Sequence, residues 1–362
     1  MRAGISDRLH AALRPLPALA VAFLAGCQSI GPGSIPRDRL DYASAIADSW
    51  REQTLLNIVK LRYFDAPVFF EVSSVISSYT LQSEVSLSSR VFPRSPTETF
   101  REIGGTGTYT DRPTITYAPV TGKEYIEKLL RPIPPQAIFS MIQAGHPADY
   151  ILSLTVRAIN DVHNYSASPA RSRREDPEFR RVIEAIRRIQ QADALGVRVA
   201  KRGKEEETLV FFQERVDPDT EKDIRFVKEA LGIKPESKEL GLVFGAARRS
   251  EETITLLTRS VWEILAELSA GVEVPQQDVA EGRATATPQG GDRKRGLPIA
   301  HIHSGMERPQ DAYVAARYRD KWFWVDDRDL GSKRIFTFLM VFSSIAETGA
   351  VPQIPIITIP AN

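Results

Sequence analysis

The chain has little of the chemistry that most catalytic and metal centres use. Its 362 residues include one cysteine and five histidines, which excludes an intrachain disulfide and a cysteine-rich metal site. It also lacks the G-x-S-x-G nucleophile elbow, the phosphate-binding loop, the H-E-x-x-H zinc motif and a complete dinucleotide fingerprint. We therefore predict a protein that is not an enzyme and that carries no cofactor.

A surplus of charge of either sign is also missing. Lysine and arginine together number 47, aspartate and glutamate together number 46, and the net charge is +1. Because proteins that bind nucleic acid through a general electrostatic surface show a basic surplus, we expect no nucleic-acid partner.

No run of apolar residues reaches the roughly 20 that a membrane-spanning helix needs. The apolar run at residues 16–23 is short, and it follows Arg2, Arg8 and Arg14. A basic start followed by a short apolar segment is typical of a secretory signal peptide. The sequence therefore predicts an exported protein whose signal peptide occupies residues 1–26.

The single cysteine lies directly after this segment, in Leu24-Ala25-Gly26-Cys27. This pattern resembles the lipobox of bacterial lipoproteins. The resemblance implies cleavage between Gly26 and Cys27, a diacylglyceryl group on the Cys27 thiol, and acylation of the new amino terminus. Three acyl chains would hold the protein stably at a membrane, whereas one does so only marginally. The resemblance also implies an outer-membrane location facing the periplasm, because Gln28 stands where Asp is typical of lipoproteins retained at the inner membrane.

The mature chain divides into segments of different composition. Loss of residues 1–26 leaves 336 residues and removes three arginines and one aspartate, so the net charge falls to about −1. Residues 27–37, rich in Gly, Ser and Pro, predict a flexible tether. A polar stretch at 166–175 is then the predicted boundary between a helix plus long β-hairpin domain at 38–165 and a mixed α+β domain at 176–362.

The spacing of apolar residues predicts an α+β fold. Alternating apolar and polar residues at 72–91 indicate a long antiparallel strand, and residues 103–118 predict a further hairpin with its turn at 111–113. Helices are predicted over 147–164 and 250–271, among others. Residues 279–296, low in apolar side chains, predict a mobile loop.

The long strands admit two interpretations. The simpler one is a soluble amphipathic sheet packed on the helices. The alternative is an oligomeric ring in which each subunit contributes β-hairpins to a barrel, because the segment at 72–91 meets the about 9–11 alternating residues that a transmembrane β-strand needs.

Two histidines form the first candidate site. His301 and His303 are two residues apart, so on a strand they share one face and can bind a metal ion together. A third ligand would come from elsewhere, such as His146, His163 or a carboxylate. The polar face of a half-exposed strand explains the pair equally simply, and we predict no metal.

Aromatic and acidic residues near the C-terminus form the second group of candidates. Trp322 and Trp324 alternate on a predicted strand, where they can stack a sugar or a peptide if they face solvent, although the nearby aromatic residues favour core packing. Asp326 and Asp327 can bind a cation or form an acid–base pair. We expect that Asp329 instead caps the helix that follows.

Three tracts resemble segments of a family of lipoproteins from Gram-negative bacteria that have no assigned activity. They are REQTLLNIVKLRYFDAPVFFEVSS, RPTITYAPVTG and VAARYRDKWFWVDDRDLGSKR. The resemblance rests on no catalytic motif. It implies an envelope location and carries over no site residue except Cys27.

These observations leave three functions open. The first is a lipid-anchored, non-enzymatic structural or binding protein whose partners are envelope proteins or the cell wall. The second is a subunit of a homo-oligomeric outer-membrane pore or secretion assembly that uses the strands at 72–91 and 103–118. The third is an envelope hydrolase that uses His301, His303 or the acidic cluster at 326–329.

Overall fold

The computed structural model describes residues 30–76, 79–91, 99–111, 114–166, 173–202, 205–287 and 300–346. The predicted signal peptide, Gly26, Cys27 and the apolar tail at 351–360 lie outside the described residues. The chain divides into two units, residues 1–50 and residues 51–362. All features discussed below belong to the second unit unless stated.

The helices begin where the sequence places prolines and capping side chains. Asp217 accepts hydrogen bonds from the amides of Asp219 and Thr220, and Ser260 forms a capping box with Glu263. The described helices are α1 (Ile30–Arg62), α2 (Gly122–Tyr125), α3 (Pro135–Gln143), α4 (Ala148–Thr155), α5 (Pro177–Gln191), α6 (Pro218–Ala230), α7 (Val261–Ser269), α8 (Gln276–Ala280) and α9 (Leu330–Ala346), with a π-helical turn at Ile126–Leu130. Every helix in the described ranges is too short or too polar to cross a membrane.

The strands are distributed over four hydrogen-bonded groups. They are β1 (Phe70–Ile76), β2 (Tyr79–Val91), β3 (Thr99–Asp111), β4 (Thr114–Pro119), β5 (Val156–Ile159), β6 (Val162–His163), β7 (Leu195–Arg202), β8 (Glu205–Phe212), β9 (Glu239–Phe244), β10 (Thr253–Thr258), β11 (His303–Gly305), β12 (Ala312–Tyr318) and β13 (Lys321–Asp326). Strands β1 and β4 pair with each other, as do β2 and β3, and we call these four strands the ribbon.

A six-stranded sheet and a three-stranded sheet share one hydrophobic core. The larger sheet has the order β6-β5-β10-β9-β8-β7, in which only β9 and β10 run parallel, and the smaller has the order β11-β13-β12. Buried side chains of α3, α4, α5, α7 and α9 belong to the same cluster as those of both sheets, among them Leu152, Phe179, Leu256, Phe323 and Phe336. The α+β class predicted from the sequence is confirmed.

The predicted domain boundary at 166–175 is wrong. Strands β5 and β6 precede it, yet β5 pairs with β10 in the six-stranded sheet that also contains β7, β8 and β9. Strand pairing therefore joins the segments on the two sides of this stretch into one unit.

Two predicted helices each contain a strand. The segment at 147–164 forms α4 and then β5, and the segment at 250–271 forms β10 and then α7. Seven of the ten residues of β5 and β10 are buried, and each strand has buried residues on both faces, so burial does not alternate along them. The apolar residues of these segments have helical spacing, but the segments form strands because β5 and β10 pair with each other.

The hairpin predicted over 103–118 is also wrong. Its two halves, β3 and β4, pair with β2 and β1 respectively rather than with each other. The simpler interpretation of a sheet packed on the helices fails at the root of the ribbon, where all six residues of β4 are exposed. The turn-forming residues at 111–113 predict a hairpin, but the strands before and after them pair antiparallel with different partners.

Two segments predicted to be flexible have defined structure where they are described. Residues 30–37 are the first turns of α1 rather than a tether, and Pro32 falls in the first turn, where the missing amide has no helical acceptor to lose. Of the predicted loop at 279–296, residues 281–287 are fixed by polar contacts: Arg62 donates to the carbonyls of Thr285 and Ala286.

Candidate binding face on the C-terminal sheet

The sequence-predicted tryptophans lie at the centre of the three-stranded sheet. Strand β13 pairs on one side with β11, so that Trp324 is opposite His303 and Trp322 is opposite Gly305. On its other side it pairs with β12. We call the side of this sheet that carries Trp322 and Trp324 the tryptophan face.

The tryptophan face looks away from the core. Along β13 the side chains alternate: Phe323 and Val325 are 1% and 0% exposed, whereas Trp322 and Trp324 are half-buried. The prediction that the tryptophans pack in the core is therefore wrong. Because Phe323 and Val325 occupy the inner side of the strand, the period of two places both indoles on the outer side.

The indole of Trp324 lies against the backbone of β11. A Cβ atom added to Gly305 would stand 3.3 Å from two ring carbons of Trp324, which is tighter than ordinary contact. The imidazole of His303 is adjacent, with 5.6 Å between the two ring centroids. Glycine at position 305 therefore provides the space that lets the indole lie over the neighbouring strand.

Charged groups border the two indoles. The guanidinium of Arg308 lies 5.3 Å from the ring centroid of Trp322, a cation–π distance. The Nδ1 atom of His303 lies 3.2 Å from a carboxylate oxygen of Glu273, and Arg317 on β12, opposite Trp322, is exposed. The face thus combines two aromatic rings with hydrogen-bond donors and an acceptor at its border.

His301 and His303 each contact a different carboxylate. The Nδ1 atom of His301 lies 3.3 Å from Asp329, whereas that of His303 lies beside Glu273. Within the described ranges no group of three His, Cys, Asp or Glu side chains is placed to hold a metal ion. His146 and His163, the suggested third ligands, therefore do not complete a site with this pair there.

The acidic cluster makes local contacts. Asp326 accepts a hydrogen bond from the Arg328 amide, and Asp327 accepts one from Lys333 at 2.6 Å. Asp329 accepts hydrogen bonds from the amide and the hydroxyl of Ser332, which is the capping contact predicted for it. Burial would raise the pKa of Asp329, but these hydrogen bonds outweigh it and lower that pKa.

His301, Asp329 and Ser332 come together without the order that nucleophilic catalysis needs. In a catalytic triad the hydroxyl donates to the imidazole, which in turn contacts the carboxylate. Here the Ser332 hydroxyl donates directly to Asp329 at 2.5 Å, and Ser332 is 1% exposed. The serine therefore serves the helix start and cannot be activated by His301 in this arrangement.

A buried polar cluster supports the inner side of the sheet, and sequence reasoning missed it. Asp278 accepts hydrogen bonds from Tyr63 and Lys321, both at 2.6 Å. Burial would raise the pKa of Asp278, but these two partners outweigh it and lower that pKa. The cluster joins α8 and Tyr63, the residue after α1, to β13, so it fixes the strand that carries both tryptophans. Lys321, the first residue of β13 in the sequence, gave no signal of a distant partner at position 278.

Comparison with known proteins adds no relative to this description. No family model, no curated protein and no solved structure matches the chain.

Proposed function

We propose that this chain is a lipid-anchored envelope protein that binds a saccharide of the cell wall on its tryptophan face. The observation that carries the proposal is the position of Trp322 and Trp324, which share the outer side of a sheet whose inner side is packed in the core. The anchor in this proposal is Cys27, within the lipobox-like sequence.

The chemistry of the face matches a pyranose ring. The face of an indole carries partial negative charge, and the C–H groups on one side of a sugar ring are weakly positive, so the two stack. Hydroxyl groups at the rim of the sugar would meet His303, Glu273 and Arg308, which supply both donors and an acceptor. Two indoles on adjacent outward positions, about 7 Å apart along the strand, fit neighbouring parts of one saccharide.

Lipid anchoring would keep this face near its ligand. A protein tethered by three acyl chains at the outer membrane faces the periplasm, where the wall lies. Binding requires a complementary surface and no catalytic residues. The proposal is therefore consistent with the prediction that the protein is not an enzyme.

The test uses the tryptophans as reporters. The chain has four of them, so Cys27→Ser protein carrying Trp50→Phe and Trp262→Phe would fluoresce from Trp322 and Trp324 alone. Titration with tetrasaccharides of N-acetylglucosamine, and sedimentation with purified wall sacculi, should give saturable binding. Trp324→Ala should weaken binding at least about tenfold, as loss of a central aromatic contact does.

Trp262→Phe alone, compared with the unmodified chain in the sedimentation assay, is the matched control, because Trp262 lies on α7 against Tyr125. It should leave binding unchanged. If the saccharide and the sacculi fail to bind the parent protein, or if Trp324→Ala binds as the parent does, the proposed function is wrong.

A further inference from the structure

The ribbon consists of two antiparallel ladders that share one register. The β1–β4 pairing ends at Ile76 opposite Thr114, and the β2–β3 pairing begins at Tyr79 opposite Asp111. Each arm advances by three residues between these pairs, so both parts have the same register. All 13 residues of β2 then pair with the 13 residues of β3 without a break.

A β-bulge keeps the apolar residues of the ribbon in phase. Phe70 and Val72 occupy even positions, whereas the apolar residues farther along occupy odd ones, beginning with Val75. The register shifts between Val72 and Ser74, so one extra residue on β1 changes the parity at this point. Without the bulge, the apolar residues on its two sides would belong to opposite faces.

The resulting ribbon has one apolar and one polar face. Cross-strand partners share a face. Most apolar residues of the ribbon fall on the first face by register: Val72 with Tyr117, Val75 with Ile115, Leu81 with Tyr109, and Leu87 with Ile103. The same face also includes the pairs Tyr79 with Asp111, Ser83 with Gly107, and Ser89 with Arg101. The second face has Thr80 with Thr110, Gln82 with Thr108, Glu84 with Thr106, and Ser88 with Glu102. In the β1–β4 part the second face also includes Ala118 and Ile76, so the contrast is clearest between β2 and β3.

The root of the ribbon is attached to the body, but its apolar face is uncovered. Glu71 pairs with Lys128 at 2.6 Å, and the side chain of Gln53 exchanges two hydrogen bonds with the backbone of Phe70. In contrast, Phe70, Ile115 and Tyr117 on the apolar face are 45%, 40% and 58% exposed. The body thus holds the start of the ribbon without covering its apolar side.

The edges of the ribbon are also available for pairing. Among the described strands, those of the ribbon pair only with one another, and no third strand joins either edge. An isolated two-stranded hairpin is marginally stable in water, and long unpaired edges readily pair with another chain. We therefore expect that further strands pair with the edges of the ribbon and that an apolar environment covers one of its faces.

We propose that the ribbons of several copies of this chain pair edge to edge into one closed sheet within the outer membrane. The partner at each edge is a second copy, acyl chains cover the apolar face, and the polar face lines the interior. Strands of 13 residues exceed the about 9–11 residues that cross a bilayer at the usual tilt. When the sheet closes, the backbone N–H and C=O groups at both edges form hydrogen bonds, as they must in the hydrocarbon region of the membrane.

The strand count sets the number of copies. With two strands from each chain, the smallest outer-membrane barrels, of about 8 strands, would need about four copies. An open aqueous channel requires about 16–18 strands, hence about eight or nine copies. The proposal therefore predicts a particle of at least four copies, and a conducting one if the copy number is about eight or more.

Two neighbouring substitutions test the proposal. Val85→Arg changes the apolar face at the middle of β2, and Ser86→Arg changes the polar face one residue later, with the same added charge. Full-length chain is extracted from membranes in mild detergent, its native mass is measured, and its conductance is recorded in bilayers of phosphatidylethanolamine and phosphatidylglycerol. The parent and Ser86→Arg should form the same oligomer. In Val85→Arg, the fraction of chain found in the oligomer and the fraction inserted in the membrane should each fall at least tenfold.

Thermal unfolding of the body should be equal in both variants, which separates a ribbon effect from misfolding. A parent of fewer than four copies, or equal behaviour of the two variants, would overturn the proposal. The test is independent of the saccharide site, and Cys27→Ser protein reconstituted from detergent should keep the parent's copy number, so a failure of the lipid anchor would not change this result.

Discussion

Arg259 shows how a single side chain can organise the centre of the six-stranded sheet. Its Nη1 atom donates to the carbonyls of Ser153, Leu154 and Val156 at 3.0–3.1 Å, and its Nη2 atom donates to the carbonyl of Tyr165 at 2.7 Å. The residue is 1% exposed, and burial lowers its pKa to about 10. It fixes the point where α4 ends and β5 begins.

Replacing Arg259 by Leu should destabilise the protein by about 3 kcal/mol or more, because it leaves four buried carbonyl groups without this donor. The matched control is Arg225→Gln, an exposed arginine with a helix-surface ion pair, which should cost less than about 0.5 kcal/mol. Urea unfolding of both variants measures the difference. Equal midpoints for the two would contradict the role assigned to Arg259.

Residue chemistry was partly readable from the sequence. The capping role of Asp329 and the start of α6 at Asp217 follow from local hydrogen bonds, which depend on residues three or fewer positions away. The position of Trp324 outside the core could not be predicted in this way, because alternation defines two faces of a strand but does not indicate which face is buried. The choice depends on Phe323 and Val325 fitting the core.

At the scale of elements, the root of the ribbon depends on polar side chains of α1. Asn57 is 0% exposed, and its side chain donates to the Val68 carbonyl at 2.9 Å and accepts from the Val68 amide at 3.0 Å. These bonds hold the extended segment between α1 and β1. Gln53 makes the same pair of bonds with Phe70 two residues later.

Asn57→Leu should loosen this connection while α1 keeps its apolar packing. Two backbone groups of Val68 lose their partner, which costs about 1–3 kcal/mol. Hydrogen exchange at the amides of residues 68–72 should accelerate at least about fivefold more than exchange in α5. Uniform acceleration in both segments would indicate general destabilisation and would contradict a local role.

Strand order was the part of the fold that the sequence could not supply. Amphipathic helices such as α5 and α9 follow from the spacing of apolar residues along a single segment. Strands β5 and β10 are buried on both faces and pair across about a hundred residues of sequence, so no local pattern identifies them. The pairing of β4 with β1, rather than with β3, likewise depends on contacts between residues that are distant in the sequence.

At the scale of the whole molecule, one chain carries the proposed membrane anchor, the proposed saccharide-binding face and the ribbon proposed to pair with other copies. The body supplies the rigid part: one core connects both sheets with the surrounding helices. The ribbon and the tryptophan face are the two features that this core does not use. The proposals place both features at the outer membrane, and that location depends on export and on the proposed anchor at Cys27.

The chemical state of Cys27 tests this dependence most directly. The chain is produced with its signal peptide in a Gram-negative host, recovered from the outer-membrane fraction, and its N-terminal peptide is analysed by mass spectrometry. We predict a peptide that begins at Cys27 and carries three acyl chains. An N-terminus at another residue, or an unmodified Cys27 in the membrane-bound protein, would contradict the account.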